Sequence, residues 1–104
     1  MLSLGGTIAM SPGSGRGVEP RLTGAELVAA VPALSEVASV DAESFRQLPG
    51  AHLTFDDLTA LADRVDQEIA AGVDGVVVTQ GTDTLEETAY FLDLLLDVEP
   101  PVVF

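Results

Sequence analysis

The stretch VVVTQGTDTLEETAYF, residues 76–91, decides the fold. It begins as an unbroken apolar run of strand length, passes through Gly81, Thr82, Asp83 and Thr84, and becomes helical in pattern from Leu85 onward. A short apolar run bounded by a turn and followed by a helix is the mark of a buried parallel strand. Glu86 and Glu87 fall in the first turn of the following helix, where negative charge suits the positive end of the helix dipole. The apolar body Tyr90, Phe91, Leu92 and Leu94 to Leu96 predicts a well-buried helix, and Val76 to Val78 predict a strand covered on both sides.

Outward from this stretch, further apolar runs of strand length stand at Met1 to Leu4, Val37 to Phe45 and Val102 to Phe104. Thr23 and Glu26 have capping-box spacing ahead of Leu27, Val28 and Val31, so a helix is expected to start at Thr23 and to be limited by Pro32. A longer helix follows Thr54. Leu58, Leu61, Ala62, Val65 and Ile69 repeat at helical spacing, Gly72 supplies the stop, and Asp57, Asp63, Arg64 and Gln67 form its wet face. The acids Asp56, Asp66 and Glu68 belong to the same solvated surface. The order β-α-β-α-β-α-β predicts an α/β fold, a mostly parallel sheet with helices on both faces. The turn-rich segment SPGSGRG, residues 11–17, is expected to be a mobile loop. A last strand begun at PPVVF would leave sheet edges and apolar helix faces exposed unless more protein followed.

Composition narrows the function. The 104 residues suit one domain, and the mean hydropathy of +0.37 is that of a chain able to bury a core. Seventeen acids against four bases give a formal charge of −13, which repels nucleic acid and anionic membranes. All four bases are arginines (Arg16, Arg21, Arg46 and Arg64), so there is no lysine. Without cysteine there is no disulfide, thiol nucleophile or thiolate metal site, and His52 alone builds no metal cluster, so no cofactor is expected. Asp93 and Asp97, four apart, are a weak metal hint without supporting ligands. The N-terminus lacks a basic region and is broken by Gly5 and Gly6, which points to a soluble, cytoplasmic protein.

Neither G-x-G-x-x-G nor G-x-x-x-x-G-K-[ST] occurs, so dinucleotide and phosphate-loop binding are not supported. In open parallel sheets ligands bind beyond the carboxyl ends of the strands. Two loops that carry hydroxyls are expected there, Gly5-Gly6-Thr7 and Gly81-Thr82-Asp83-Thr84. Threonine is a weak nucleophile that needs a base and an oxyanion donor, and Thr82 beside Asp83 offers part of that set. The plainer alternative is that Thr84 caps a helix while Thr7 and Thr82 are turn residues. His52 reads as structural.

Taken together, LGGTIAM (residues 4–10) and VVVTQGTDTLEETAYFLDLLL (76–96) resemble the paired signature motifs of the bacterial-type L-asparaginase family. LTGAELVAAVPAL (22–34) and PPVVF (100–104) are similar to it as well. The resemblance covers essentially the whole chain, as a truncated N-terminal part of the family's larger domain with the C-terminal remainder absent. It implies hydrolysis of L-asparagine, with L-glutamine as a second candidate, to aspartate and ammonia. Thr7 would be the nucleophile and Thr82 the second essential threonine. Asp83 would bind the substrate's α-amino group, and Gly50, Gly81, Thr82 and Asp83 would contact the substrate.

The same resemblance implies a homodimeric or homotetrameric parent and a catalytic lysine beyond Phe104, so the isolated chain would hold an incomplete site. Val18 in GVEP stands where many members carry an activating tyrosine. Gly50 and Ala51 in LPGAHLTFDD stand where many use serine and a polar neighbour for the substrate carboxylate. Two rival readings share the motifs: the asparaginase-like component of a tRNA-dependent amidotransferase, for which an additional N-terminal domain is expected, and a non-catalytic amino-acid-binding module.

Overall fold

The computed structural model describes residues 1–6, 10–12, 18–20 and 22–104. Four short strands, β1 (Leu2–Ser3), β4 (Glu43–Ser44), β5 (Val76–Thr79) and β6 (Val102–Val103), form one parallel sheet in the order β4-β1-β5-β6. β2 (Met10–Pro12) and β3 (Val18–Pro20) pair as an antiparallel ribbon, with Ser11 opposite Glu19. Each strand of such a ribbon is an edge, which is where proline is tolerated in a sheet. Ser11 and Pro12, expected in a loop, therefore belong to a strand; residues 13–17 of that loop lie outside the described residues.

Helix α1 (Gly24–Ala29) begins at Thr23 with a complete capping box: the Glu26 amide donates to Thr23 Oγ1 at 3.2 Å, and the Thr23 amide donates back to Glu26 Oε2 at 2.7 Å. These bonds hold the Glu26 carboxyl below its ordinary range. α1 closes at Ala30, ahead of Pro32 as expected. A short helix, α2 (Leu34–Val37), follows, and its last residue, Val37, is where the sequence pattern starts a strand. The apolar residues of 37–42 have no ladder to join, and Val37 is 80% exposed. Pairing with β1 starts only at Glu43, opposite Leu2, and continues past Ser44 through Leu48 N–H to Leu4 C=O at 3.0 Å.

Helix α3 (Phe55–Ala70) is capped by Thr54 with Asp57 in the reciprocal position, and it ends before Gly72 at φ 95°, a left-handed geometry that glycine adopts without strain. Leu58, Leu61, Ala62 and Val65 are buried as the spacing predicts. Two residues expected on the wet face are engaged instead. Asp57 accepts from Arg46 Nε at 2.8 Å, and the Arg46 guanidinium with the Thr54 hydroxyl and amide pulls its carboxyl down to about 2. Arg64 pairs with Glu43 at 2.9 Å and also with Glu68, contacts that raise its pKa.

The pleat sorts the layers. Leu2, Val76 and Val78 face α3 and α4 (Leu85–Leu95), joining Leu4, Leu61, Val65 and Leu92 in one core. Ser44, next along from Glu43, points the other way and accepts from the Gly24 amide at 2.9 Å, which sets α1 on the opposite face. Helices thus cover both faces, but unevenly. Val77 is 47% exposed, so β5 is buried on one side rather than both. α4 is likewise not well buried: Thr88 and Leu92 are inside, whereas Tyr90, Leu94 and Leu95 are exposed. A helix can bury only the faces that meet neighbours, and among the described residues α4 meets α3, and through Leu92 the sheet core, on one side. α4 also stops short of Asp97, so Asp93 and Asp97 do not share a helical face, and no metal-binding cluster occurs among the described residues. No helix among them is long and apolar enough to cross a membrane.

Candidate active site

The chain leaves β1 toward β4 on one side and later adds β5 on the other, so the strand order reverses at the β1/β5 junction. The carboxyl ends of these two strands open the crevice where ligands bind in sheets of this kind. Gly5 and Gly6 leave β1 with φ of 96° and 85°, and Gly81 leaves β5 beside them. A Cβ on Gly6 would lie 2.1 Å from the Gly81 nitrogen, and one on Gly5 would lie 3.0 Å from Leu48 backbone atoms. Glycine is required here because backbone runs against backbone at positive φ.

A third loop closes on the same point. The tight 3-10 turn Gly50–His52 packs on the 3-10 turn Thr82–Thr84, and a Cβ on Gly50 would sit 3.1 Å from Thr84 Oγ1 and 3.2 Å from the Gly81 carbonyl oxygen. Of the residues expected in the site, Gly50 and Gly81 are therefore brought together and buried, and Thr82 and Asp83 stand exposed at the rim on the turn that leads into α4. Thr7 directly follows Gly6 but lies outside the described residues. His52 ends its turn with its side chain exposed. Val18 belongs to the β2–β3 ribbon.

Thr84 occupies the capping position of α4, yet its side chain makes no capping bond. Its hydroxyl instead accepts from Gln80 Nε2 at 3.2 Å, and Gln80 Nε2 also donates to Thr88 Oγ1 at 3.0 Å. Simple helix capping by Thr84 is thus excluded. Gln80 escaped the sequence reading; the available signal was Thr84 and Thr88, four and eight residues on, aligned on one helix face. Gln80 Oε1 and Thr79 Oγ1 are buried without a partner among the described residues. Such atoms are costly, by about 1–3 kcal/mol each, and tend to cluster where structure serves function.

Chemically the crevice offers hydroxyls, one carboxylate and close backbone, with no thiol or imidazole among the candidate residues. A family model, "Asparaginase, N-terminal", matches residues 1–104. The chain is 45% identical over 105 residues to an L-asparaginase of Bacillus licheniformis, covering 99% of this chain and 32% of that protein. It is 35% identical to a component of the glutamyl-tRNA(Gln) amidotransferase of Methanosarcina mazei, covering all of this chain and 25% of that protein. The crystal structure of a probable cytoplasmic L-asparaginase from Campylobacter jejuni superposes with a TM-score of 0.90 at 34% identity, over 98% of this chain and 33% of that one. The chain thus spans about a third or less of the length of these relatives. The sheet order, the paired glycine-threonine loops and the match over all 104 residues place this chain in the asparaginase family, through its N-terminal region.

Proposed function

We propose that these residues supply the threonine half of an L-asparaginase-type amidohydrolase site, completed by sequence outside the 104 residues and serving a cytoplasmic homo-oligomer. The observation that supports the reading is the backbone contact of Gly6 with Gly81, which brings together the two strand ends that Thr7 and Thr82 directly follow in the sequence. The Thr7 hydroxyl attacks the side-chain amide carbon of L-asparagine, giving a tetrahedral oxyanion. Collapse breaks the C–N bond, nitrogen leaves as ammonia after taking a proton, and water then hydrolyses the acyl-enzyme to L-aspartate. Thr82 lies on the proton path. The exposed Asp83 carboxylate pairs with the substrate's α-ammonium, and the Gly50 and Gly81 backbone floors the pocket.

The resemblance assigns proton transfer to a lysine, which these 104 residues do not contain, and their four arginines are too basic to take its place, so the isolated chain is expected to be inactive. L-Glutamine is the second candidate substrate, since Asp83, assigned to the α-ammonium, acts on a group that both amino acids share and does not measure side-chain length.

Ammonia release from L-asparagine by the protein expressed from its native gene tests the reading. Thr82→Val is expected to lower kcat by about 10²–10⁴-fold, the usual range for a lost proton-transfer group. Asp83→Asn is expected to raise KM by about 10–100-fold, the equivalent of one charge-assisted hydrogen bond. Unchanged kinetics in both variants would refute these roles. A second reading, amino-acid binding without turnover, is favoured by Gly50, which offers no side chain to a substrate carboxylate and is hemmed in by Gly81 and Thr84. Aspartate binding by a wild-type protein that releases no ammonia would establish it.

A further inference from the structure

We propose that Gln80 is a positioning residue for this site, a clamp that sets Thr82 and Asp83 by tying the end of β5 to the first turn of α4. The inference rests on the amidohydrolase reading for its consequence and on geometry for its substance. Gln80 is 7% exposed, at the last position before the Gly81–Thr84 loop. Its Nε2 donates both protons, to Thr84 Oγ1 at 3.2 Å and to Thr88 Oγ1 at 3.0 Å.

The orientation of the amide is assigned from its hydrogen-bond partners. With the Thr88 hydroxyl proton assigned to the Thr84 carbonyl at 3.0 Å, Thr88 Oγ1 accepts from Gln80, which assigns the NH₂ to the side facing the helix. The loop carrying Thr82 and Asp83 is therefore closed at both ends by one side chain: Gln80 precedes it, and Thr84 completes it. The clamp also accounts for the missing helix cap, because the Thr84 hydroxyl is held by Gln80 rather than turned toward the α4 amides.

Small displacements here matter. Reacting groups must be held to within a fraction of an ångström, and a 1 Å misplacement costs on the order of 10²-fold in rate. Thr82 and Asp83 have exposed side chains, so burial does not fix their turn; the clamp and the Gly50 and Gly6 contacts do.

The test uses the protein expressed from its native gene and three variants: Gln80→Met, which keeps length without a donor; Thr88→Val, which keeps shape without an acceptor; and the double variant. Two readouts are taken, amide hydrogen exchange over residues 80–88 and kcat and KM for L-asparagine. In either single variant, exchange over 80–88 is expected to rise at least tenfold while that of α3 is unchanged, and kcat/KM is expected to fall at least tenfold. The double variant should lose little more than Gln80→Met alone, since Gln80→Met already removes the bond to Thr88. Wild-type exchange over 80–88, a uniform rise across α3 and β5, or a loosened turn with undiminished kcat/KM would each overturn the proposal. A wild-type protein that releases no ammonia would instead remove the amidohydrolase reading, leaving the exchange data to decide the clamp.

Discussion

Gly6 and Gly72 both sit in the left-handed region, at φ 85° and 95°, yet they differ in what surrounds them. A Cβ at Gly72 meets nothing within 4 Å, whereas one at Gly6 falls 2.1 Å from the Gly81 nitrogen and 2.4 Å from its Cα. Gly72→Ala therefore isolates the conformational cost, about 1–2 kcal/mol for a side chain forced to positive φ. Gly6→Ala adds an overlap with backbone that no rotamer change relieves, worth roughly a further 1–3 kcal/mol by the usual cost of overpacking. Expected totals are about 2–5 kcal/mol for Gly6→Ala and about 1–2 for Gly72→Ala. Urea unfolding of the two variants of the protein expressed from its native gene measures the difference. To relieve the overlap the Gly81 backbone must retreat by about 1 Å, and Thr82 moves with it, so ammonia release should fall on the order of 10²-fold in Gly6→Ala and remain at the wild-type level in Gly72→Ala. Equal stability losses, or full activity in Gly6→Ala, would refute the claim that this close approach positions the site.

Other expectations follow from the same geometry. The Asp57 carboxyl, held down to about 2 from 3.8 by Arg46 and Thr54, contributes stability that is complete above about pH 4 and is lost as pH falls toward 2. The gap in melting temperature between wild type and Asp57→Asn should accordingly shrink between pH 5 and pH 2.5, and a gap constant over that range would contradict the pairing. Gly50→Ala needs Thr84 or Gly81 to yield by a few tenths of an ångström. It should cost about 1 kcal/mol in urea unfolding and raise KM a few-fold, and a stabilised variant with native KM would show that the turn has room. The 104-residue chain by itself should self-associate, because Val77 and Val103 on the sheet and Tyr90, Leu94 and Leu95 on α4 are exposed apolar surface. Monodisperse light scattering from a monomer at micromolar concentration would count against this.

Local signals were legible where a single short segment determined the outcome. The capping box at Thr23, the helix start after Thr54, the stop at Gly72 and the start of α4 after Thr84 are each written within a few neighbouring residues, and each stands where the pattern put it. Features set by distant partners were not legible. The strand expected from Val37 shrank to Glu43–Ser44 because β1 alone decides what pairs with it. The burial expected of Val77 and Tyr90 depends on layers that apolarity cannot specify. At the crevice, the glycine turns after β1 and β5 were readable in the sequence, whereas the reason for the glycines, contact between Gly6, Gly81 and Gly50, needed the fold. Gln80 was missed because a glutamine at a strand end carries no signature of its own, and the spacing of Thr84 and Thr88 gains meaning only once they fold against it.

The central claim is that the loops after β1 and β5 act as one catalytic unit. A double-mutant cycle on ammonia release from L-asparagine, with Thr7→Val, Thr82→Val and both together in the protein expressed from its native gene, tests it most directly. Groups that act together lose nearly all of their effect when either is removed, so the double variant should be about as slow as the slower single variant. Losses that multiply, or a single variant that retains wild-type kcat, would contradict the account.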